Sequence, residues 1–91
     1  MHKLVAVEWE DSRQPTASWQ FIDQIQQRGS CRCVSVGYLI SEGNGAKTLA
    51  SNLADIDDPD GIQASGVITI PESCIKRVTN LGWPLADQAK Q

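Results

Sequence analysis

Apolar and polar residues alternate almost from the first position of the chain. Over residues 4–9, Val5, Val7 and Trp9 fall on one side and Leu4, Ala6 and Glu8 on the other, the period-two pattern of a half-buried strand. The polar stretch Glu10-Asp11-Ser12-Arg13-Gln14-Pro15 ends that pattern, and Pro15 or Thr16 suits the opening of a helix. From residue 18 to residue 28 the period changes. Trp19, Phe21, Ile22 and Ile25 fall within about 160° on a helical wheel, with Gln20, Asp23, Gln24 and Gln27 elsewhere. This predicts an amphipathic helix with one core face, closed by Arg28 at its C-terminal dipole and by Gly29.

Alternation returns over residues 31–41, where Val34, Val36, Tyr38 and Ile40 line one face of a second strand and Cys33, Ser35, Gly37 and Leu39 the other. Gly37 is expected to mark a bulge or bend. Glu42-Gly43-Asn44-Gly45 is a hairpin turn leading into a third strand over residues 46–53. Residues 54–63, with Asp55, Asp57, Asp58 and Asp60 around Pro59, read as a solvated acidic loop. A fourth strand covers residues 66–70 and stops at Pro71, which has no N–H for a ladder. Glu72-Ser73 turns the chain into a fifth strand over residues 74–81.

The order β-α-β-β-β-β predicts an α+β fold: a small five-stranded SH3-like barrel or a strongly bent antiparallel sheet, with one helix between strands 1 and 2. One globular domain is expected over residues 1–81, with a loosely attached C-terminal tail over residues 82–91. Ninety-one residues support one modest core. An apolar share of 41% and a charged share of 21% are ordinary for globular proteins and argue against a disordered or membrane-embedded chain. No apolar run nears the roughly 20 residues of a bilayer span, and the N-terminus turns acidic too early for a signal peptide, so a cytoplasmic protein is expected. The net charge of −3 argues against duplex nucleic acid as a partner. Three cysteines leave at least one thiol unpaired, which points to a reducing compartment rather than a disulfide framework.

Several constellations that carry chemistry elsewhere fail here on spacing. Gly43-Asn44-Gly45-Ala46-Lys47-Thr48 lacks the glycine before lysine, and the following helix, of a phosphate-binding loop. Aligning Gly61 with the sixth position of a calcium loop puts Ile56 and Val67 where oxygen ligands belong. Cys31, Cys33, Cys74 and His2 match no structural zinc spacing, so packing is the default role of the cysteines. His2 is the only histidine and sits at a terminus expected to fray, a poor base for nucleophilic catalysis. No catalytic residue, metal site or cofactor is therefore assigned. Trp9 and Trp19 are expected in the core. Trp83, between Gly82 and Pro84, either covers a core edge or is open to a partner.

Val7-Glu8-Trp9-Glu10-Asp11-Ser12, Cys33-Val34-Ser35-Val36-Gly37-Tyr38-Leu39 and Ile70-Pro71 with Ile75, Val78 and Leu81 together resemble a group of small phage and prophage proteins. That group carries a V-x-W-x-D-S opening and a C-x-S-V-G-[FYW]-L strand. The resemblance spans most of the chain through Leu81, transfers no catalytic residue, and implies an accessory factor acting in the host cytoplasm. Two functions then compete. One is a sponge that sequesters a nucleotide signal of host antiviral defence, gripping phosphates with Arg13, Arg32 or Arg77 and stacking a base on an aromatic such as Trp19, Tyr38 or Trp83; it predicts a preformed pocket, with a homo-oligomer interface as one place for it. The other is a protein–protein adaptor or inhibitor, which predicts an apolar, aromatic surface patch.

Overall fold

A computed structural model describes residues 2–82. They form five antiparallel strands: β1 (Leu4–Asp11), β2 (Cys31–Gly43), β3 (Ala46–Ala54), β4 (Gln63–Pro71) and β5 (Ile75–Gly82). The strands make one sheet in the order β4-β3-β2-β1-β5.

The longest strand, β2, serves two partners in succession. Residues 31–38 pair with β1 and residues 38–43 with β3, so that Tyr38 faces Leu4 on one side and Ala50 on the other. Beyond that junction the strands part. Cys31 to Gly37 of β2 have no ladder partner on the β3 side among the described residues, and Asn52 to Ala54 of β3 pair with β4 alone. Gly37 sits at the junction because a Cβ there would lie 2.8 Å from the Ala50 carbonyl oxygen. The expected bulge falls slightly later, where the β2–β3 register slips between Leu39 and Ser41. The hairpin at Asn44-Gly45 forms as expected, both residues having positive φ (54° and 73°), the two-residue geometry that matches strand twist.

The core is small. Val5, Val7, Leu49, Ala50 and Ile70 are buried, and Trp9, Leu39, Ile68 and Ile75 pack against them. The Val5, Val7 and Trp9 side of β1 is thus the inner face, as its alternation predicts, and full burial of a side chain such as Leu49 or Ile70 contributes about 1.5–3 kcal/mol. Trp9 is further held by its indole Nε1–H donating to Ser35 Oγ at 3.0 Å. At the far edge Pro71 closes β4, a 3-10 turn over Glu72–Cys74 follows, and Ile75 opens β5 opposite Trp9. The chain thereby passes from one edge of the sheet to the other.

The predicted helix between strands 1 and 2 is absent. Residues 12–30 contain one 3-10 turn, Ile22–Gln24, flanked by extended backbone at Phe21 and Ile25 and with no side-chain cap. A helix of eleven residues is marginal in water unless its apolar face is packed. This one has nothing against it: Trp19 is fully exposed, Phe21 is 75% and Ile22 88% exposed, and Ile25 is half exposed. The expectation that Trp19 and its neighbours join the core is corrected accordingly. β5 takes in Gly82, the first residue assigned to the tail, and the remaining expectation for residues 83–91 lies outside the described residues. Among the described residues no helix is long and apolar enough to cross a membrane.

Candidate functional site

Alternation along β1 sends Val5, Val7 and Trp9 inward, so Ala6, Glu8 and Glu10 look outward. The register places Val34 and Arg77 on either side of Glu8, Val36 and Thr79 on either side of Ala6, and Arg32 opposite Glu10. The result is a mixed outer face of β2, β1 and β5. Arg77 Nε lies 3.6 Å from Glu8 Oε2, Lys76 Nζ lies 3.8 Å from Glu10 Oε2, and Ser30 Oγ donates to the same Glu10 oxygen at 2.9 Å. An open hollow of about 530 Å³ is lined by Glu8, Trp9, Glu10, Arg32, Cys33, Val34 and Lys76. The hollow itself sets two cations, Arg32 and Lys76, against two carboxylates, Glu8 and Glu10, and Lys76 already has an acidic partner. The electrostatic bias toward an anion is therefore slight.

The candidate ligand residues separate accordingly. Arg32 and Arg77 share this face, on opposite sides of β1. Tyr38 is on the same strand as Arg32 but six residues away, about 20 Å along it, at the β1–β2–β3 junction. Arg13 stands on the 12–30 segment, where its Nε–H donates to the Gly29 carbonyl at 2.7 Å and ties the two ends of the segment together. Trp19 stands on that segment, where with Gln20, Phe21 and Gln24 it lines a second open hollow of about 550 Å³. Trp83 lies outside the described residues. The described members of the set thus divide among three places, the outer face, the strand junction and the 12–30 segment, instead of converging on one.

Two apolar features, the first carrying Trp19 of that set, stand out on the described surface. One is the 12–30 segment itself, an arm bearing four large exposed apolar side chains within seven residues. The other is the strip Val34 and Val36, 67% and 55% exposed, on the stretch of β2 whose second edge is unpaired among the described residues. The signal for both was present in the apolar pattern. Periodicity names a face without naming what covers it.

The remaining polar groups have structural partners. Lys47 is bonded by Glu42 and by Glu72, the latter at 3.3 Å, which ties the β2–β3 hairpin to the turn before β5. The Lys47 bond holds the Glu42 carboxyl below its ordinary value, and Glu42 in turn raises the Lys47 ammonium. Lys47 is therefore engaged with two glutamates of its own chain. His2 is tied down rather than frayed, its Nδ1 lying 3.1 Å from the Leu39 carbonyl oxygen. Cys33 Sγ lies 3.9 Å from Cys31 Sγ; partial burial, then the Cys31 neighbour, push the Cys33 thiol up, away from the reactive thiolate. Among the described residues no three His, Cys, Asp or Glu side chains gather as a metal site.

The fold and surface define a small antiparallel β protein with an apolar arm and a mixed-charge outer face. No protein-family model matches the chain, and neither does any curated protein or solved structure.

Proposed function

We propose that this chain is a non-enzymatic binding protein that works by docking to protein through the arm of residues 12–30. The carrying observation is the full exposure of Trp19 with Phe21, Ile22 and Ile25 beside it, on a segment that spends almost none of its apolar surface on the sheet. Large aromatic and aliphatic side chains of this kind are the usual anchors of protein interfaces. The strand order β4-β3-β2-β1-β5, with the 3-10 turn passing the chain between the sheet edges, supports an SH3-like barrel as the scaffold that presents the arm. Its resemblance to small phage proteins supports an accessory role in a host cytoplasm. The test is affinity purification of the tagged protein beside a Trp19→Asp/Ile22→Asp variant. A partner retained by the parent and lost by the variant supports the reading; an identical set of bound proteins sinks it.

A second reading, a sponge for a nucleotide signal, is favoured by the hollow that places Arg32 and Lys76 beside Trp9. Its two carboxylates oppose phosphate, and its open shape offers one wall only, so a nucleotide would need a further wall from another copy of the chain. Native mass spectrometry of protein from defence-active cells, followed by denaturation, tests it: a stoichiometric released nucleotide supports the sponge, and an empty protein that ignores cyclic and ADP-ribose-derived nucleotides removes it.

A further inference from the structure

We infer that the partner of the arm is a second copy of this chain, with the arm of each protomer seated on the Val34/Val36 strip of the other. This deepens the docking role proposed above and rests on it. Three observations converge. Trp19, Phe21, Ile22 and Ile25 on the arm and Val34 and Val36 on β2 together expose on the order of 800 Å² if large side chains carry about 150–250 Å² each, which matches what one partner contributes to an interface of standard size. Both apolar surfaces are on the same molecule, so one two-fold axis satisfies them pairwise: arm on strip and strip under arm, the self-complementary arrangement of an isologous dimer. The receiving stretch is also an open strand edge. Cys31 to Gly37 have no ladder partner on the β3 side among the described residues, and the arm backbone is extended at Phe21 and Ile25, on either side of its 3-10 turn Ile22–Gln24 (φ −69°, ψ 138° and φ −70°, ψ 120°). An open strand edge of this kind is where a segment of a second chain can add to a sheet beside the apolar contact.

The length of the connection favours exchange between copies. Both ends of the 19-residue segment are anchored at one end of the sheet, where Asp11 pairs with Cys31 and Arg13 bonds Gly29. From there it leaves its own sheet face uncovered. Seating the arm on a second copy also brings Trp19 and Phe21 toward the strand that carries Arg32, which supplies the missing wall of the Arg32 hollow.

Sedimentation velocity across a concentration series of the full chain tests the inference. The expected result is a species of twice the 9.9 kDa chain mass, with Trp19→Asp/Ile22→Asp weakening self-association by about thirty-fold or more, since interface anchors of this type lose at least that much on truncation. Val34→Asp is expected to weaken it likewise, with the milder Val34→Thr as the substitute if circular dichroism shows the aspartate variant unfolded. Mixing arm and strip variants gives the decisive readout. Neither homodimer has an intact contact, whereas the mixed dimer has one, so mixing should recover an intermediate affinity. A parent that stays monomeric at every concentration, or a dimer indifferent to the arm substitutions, overturns the inference. If in that case the arm variant still loses a different protein in affinity purification, the docking role stands and only the second copy falls.

Discussion

The two long connections of the molecule, residues 12–30 and residues 55–62, leave the sheet and return to it, yet they meet solvent on opposite terms. The second carries four aspartates and closes on itself. Asp58 N–H donates to the Asp55 carbonyl at 3.0 Å, Gly61 N–H to the Asp58 carbonyl at 3.1 Å, and Asp60 N–H to Asp58 Oδ1 at 3.0 Å. The first has two such backbone bonds across nineteen residues, Gln24 N–H to the Phe21 carbonyl at 2.9 Å and Ile25 N–H to the Ile22 carbonyl at 3.2 Å, and exposes Trp19, Phe21, Ile22 and Ile25. A polar loop is complete when its backbone groups are satisfied; an apolar loop is complete only when something lies against it. The difference teaches that exposure has opposite meanings in the two regions: a finished surface in one and, on the docking role proposed above, an interface in the other.

The comparison is broken most strongly by making one substitution in the core and in the arm. Ile70→Ala removes a fully buried side chain from a core of five and is expected to cost about 2–5 kcal/mol in chemical denaturation. Ile22→Ala, on a side chain 88% exposed, should leave the stability of the monomer within about 0.5 kcal/mol while weakening association. An equal loss of monomer stability from both would mean that the arm packs on its own sheet. Next in size is Gly37→Ala. The new methyl would press on the Ala50 carbonyl at the junction of β2 with β3, and a cost of about 1–3 kcal/mol is expected from urea unfolding.

Smaller effects separate the loops themselves. Asp58→Ala removes the acceptor for Asp60 N–H from an exposed turn and is expected to cost about 1 kcal/mol with no change in oligomeric mass; a change in mass would give the acidic loop a share of the interface. The smallest effect belongs to Lys47 and its two glutamates. Glu42 has a lowered pKa in the fold, so its contribution is present above the ordinary carboxylate value and fades as pH falls through the lower folded value. Lys47 has a raised pKa, so its contribution is present below the ordinary lysine value and is lost as pH rises through the folded one. Melting temperatures from pH 3 to 7 should therefore fall slightly less steeply toward acid in Lys47→Met than in the parent. Superimposable profiles would show that the pair adds nothing measurable.

Much of this architecture was legible in the residues. Strand alternation located β1 with its inner side, the Asn44-Gly45 hairpin, the Pro71 stop and the acidic loop, because period-two patterning, positive-φ residues and a missing N–H act within a few positions of the chain. The candidate site was less legible. Arg32 and Arg77 do share a face, but Glu8, Glu10 and Lys76 temper them through register, which a list of cations does not contain. Tyr38 and Trp19 lie elsewhere, and Arg13 is engaged with Gly29.

The helix shows where local pattern stops. Trp19, Phe21, Ile22 and Ile25 have helical spacing, and that spacing defines an apolar face; a face becomes a helix only when burial offsets the entropy of winding it. By itself the sequence determined the number and order of the strands and the turns between β2, β3, β4 and β5, since those choices depend on neighbours along the chain, while β1, β2 and β4 run two or three residues beyond their predicted ends. Which apolar residues are covered, and that Trp9 is held against the core while Trp19 faces water, only the tertiary structure decided, because burial depends on what lies across from a side chain rather than beside it in sequence.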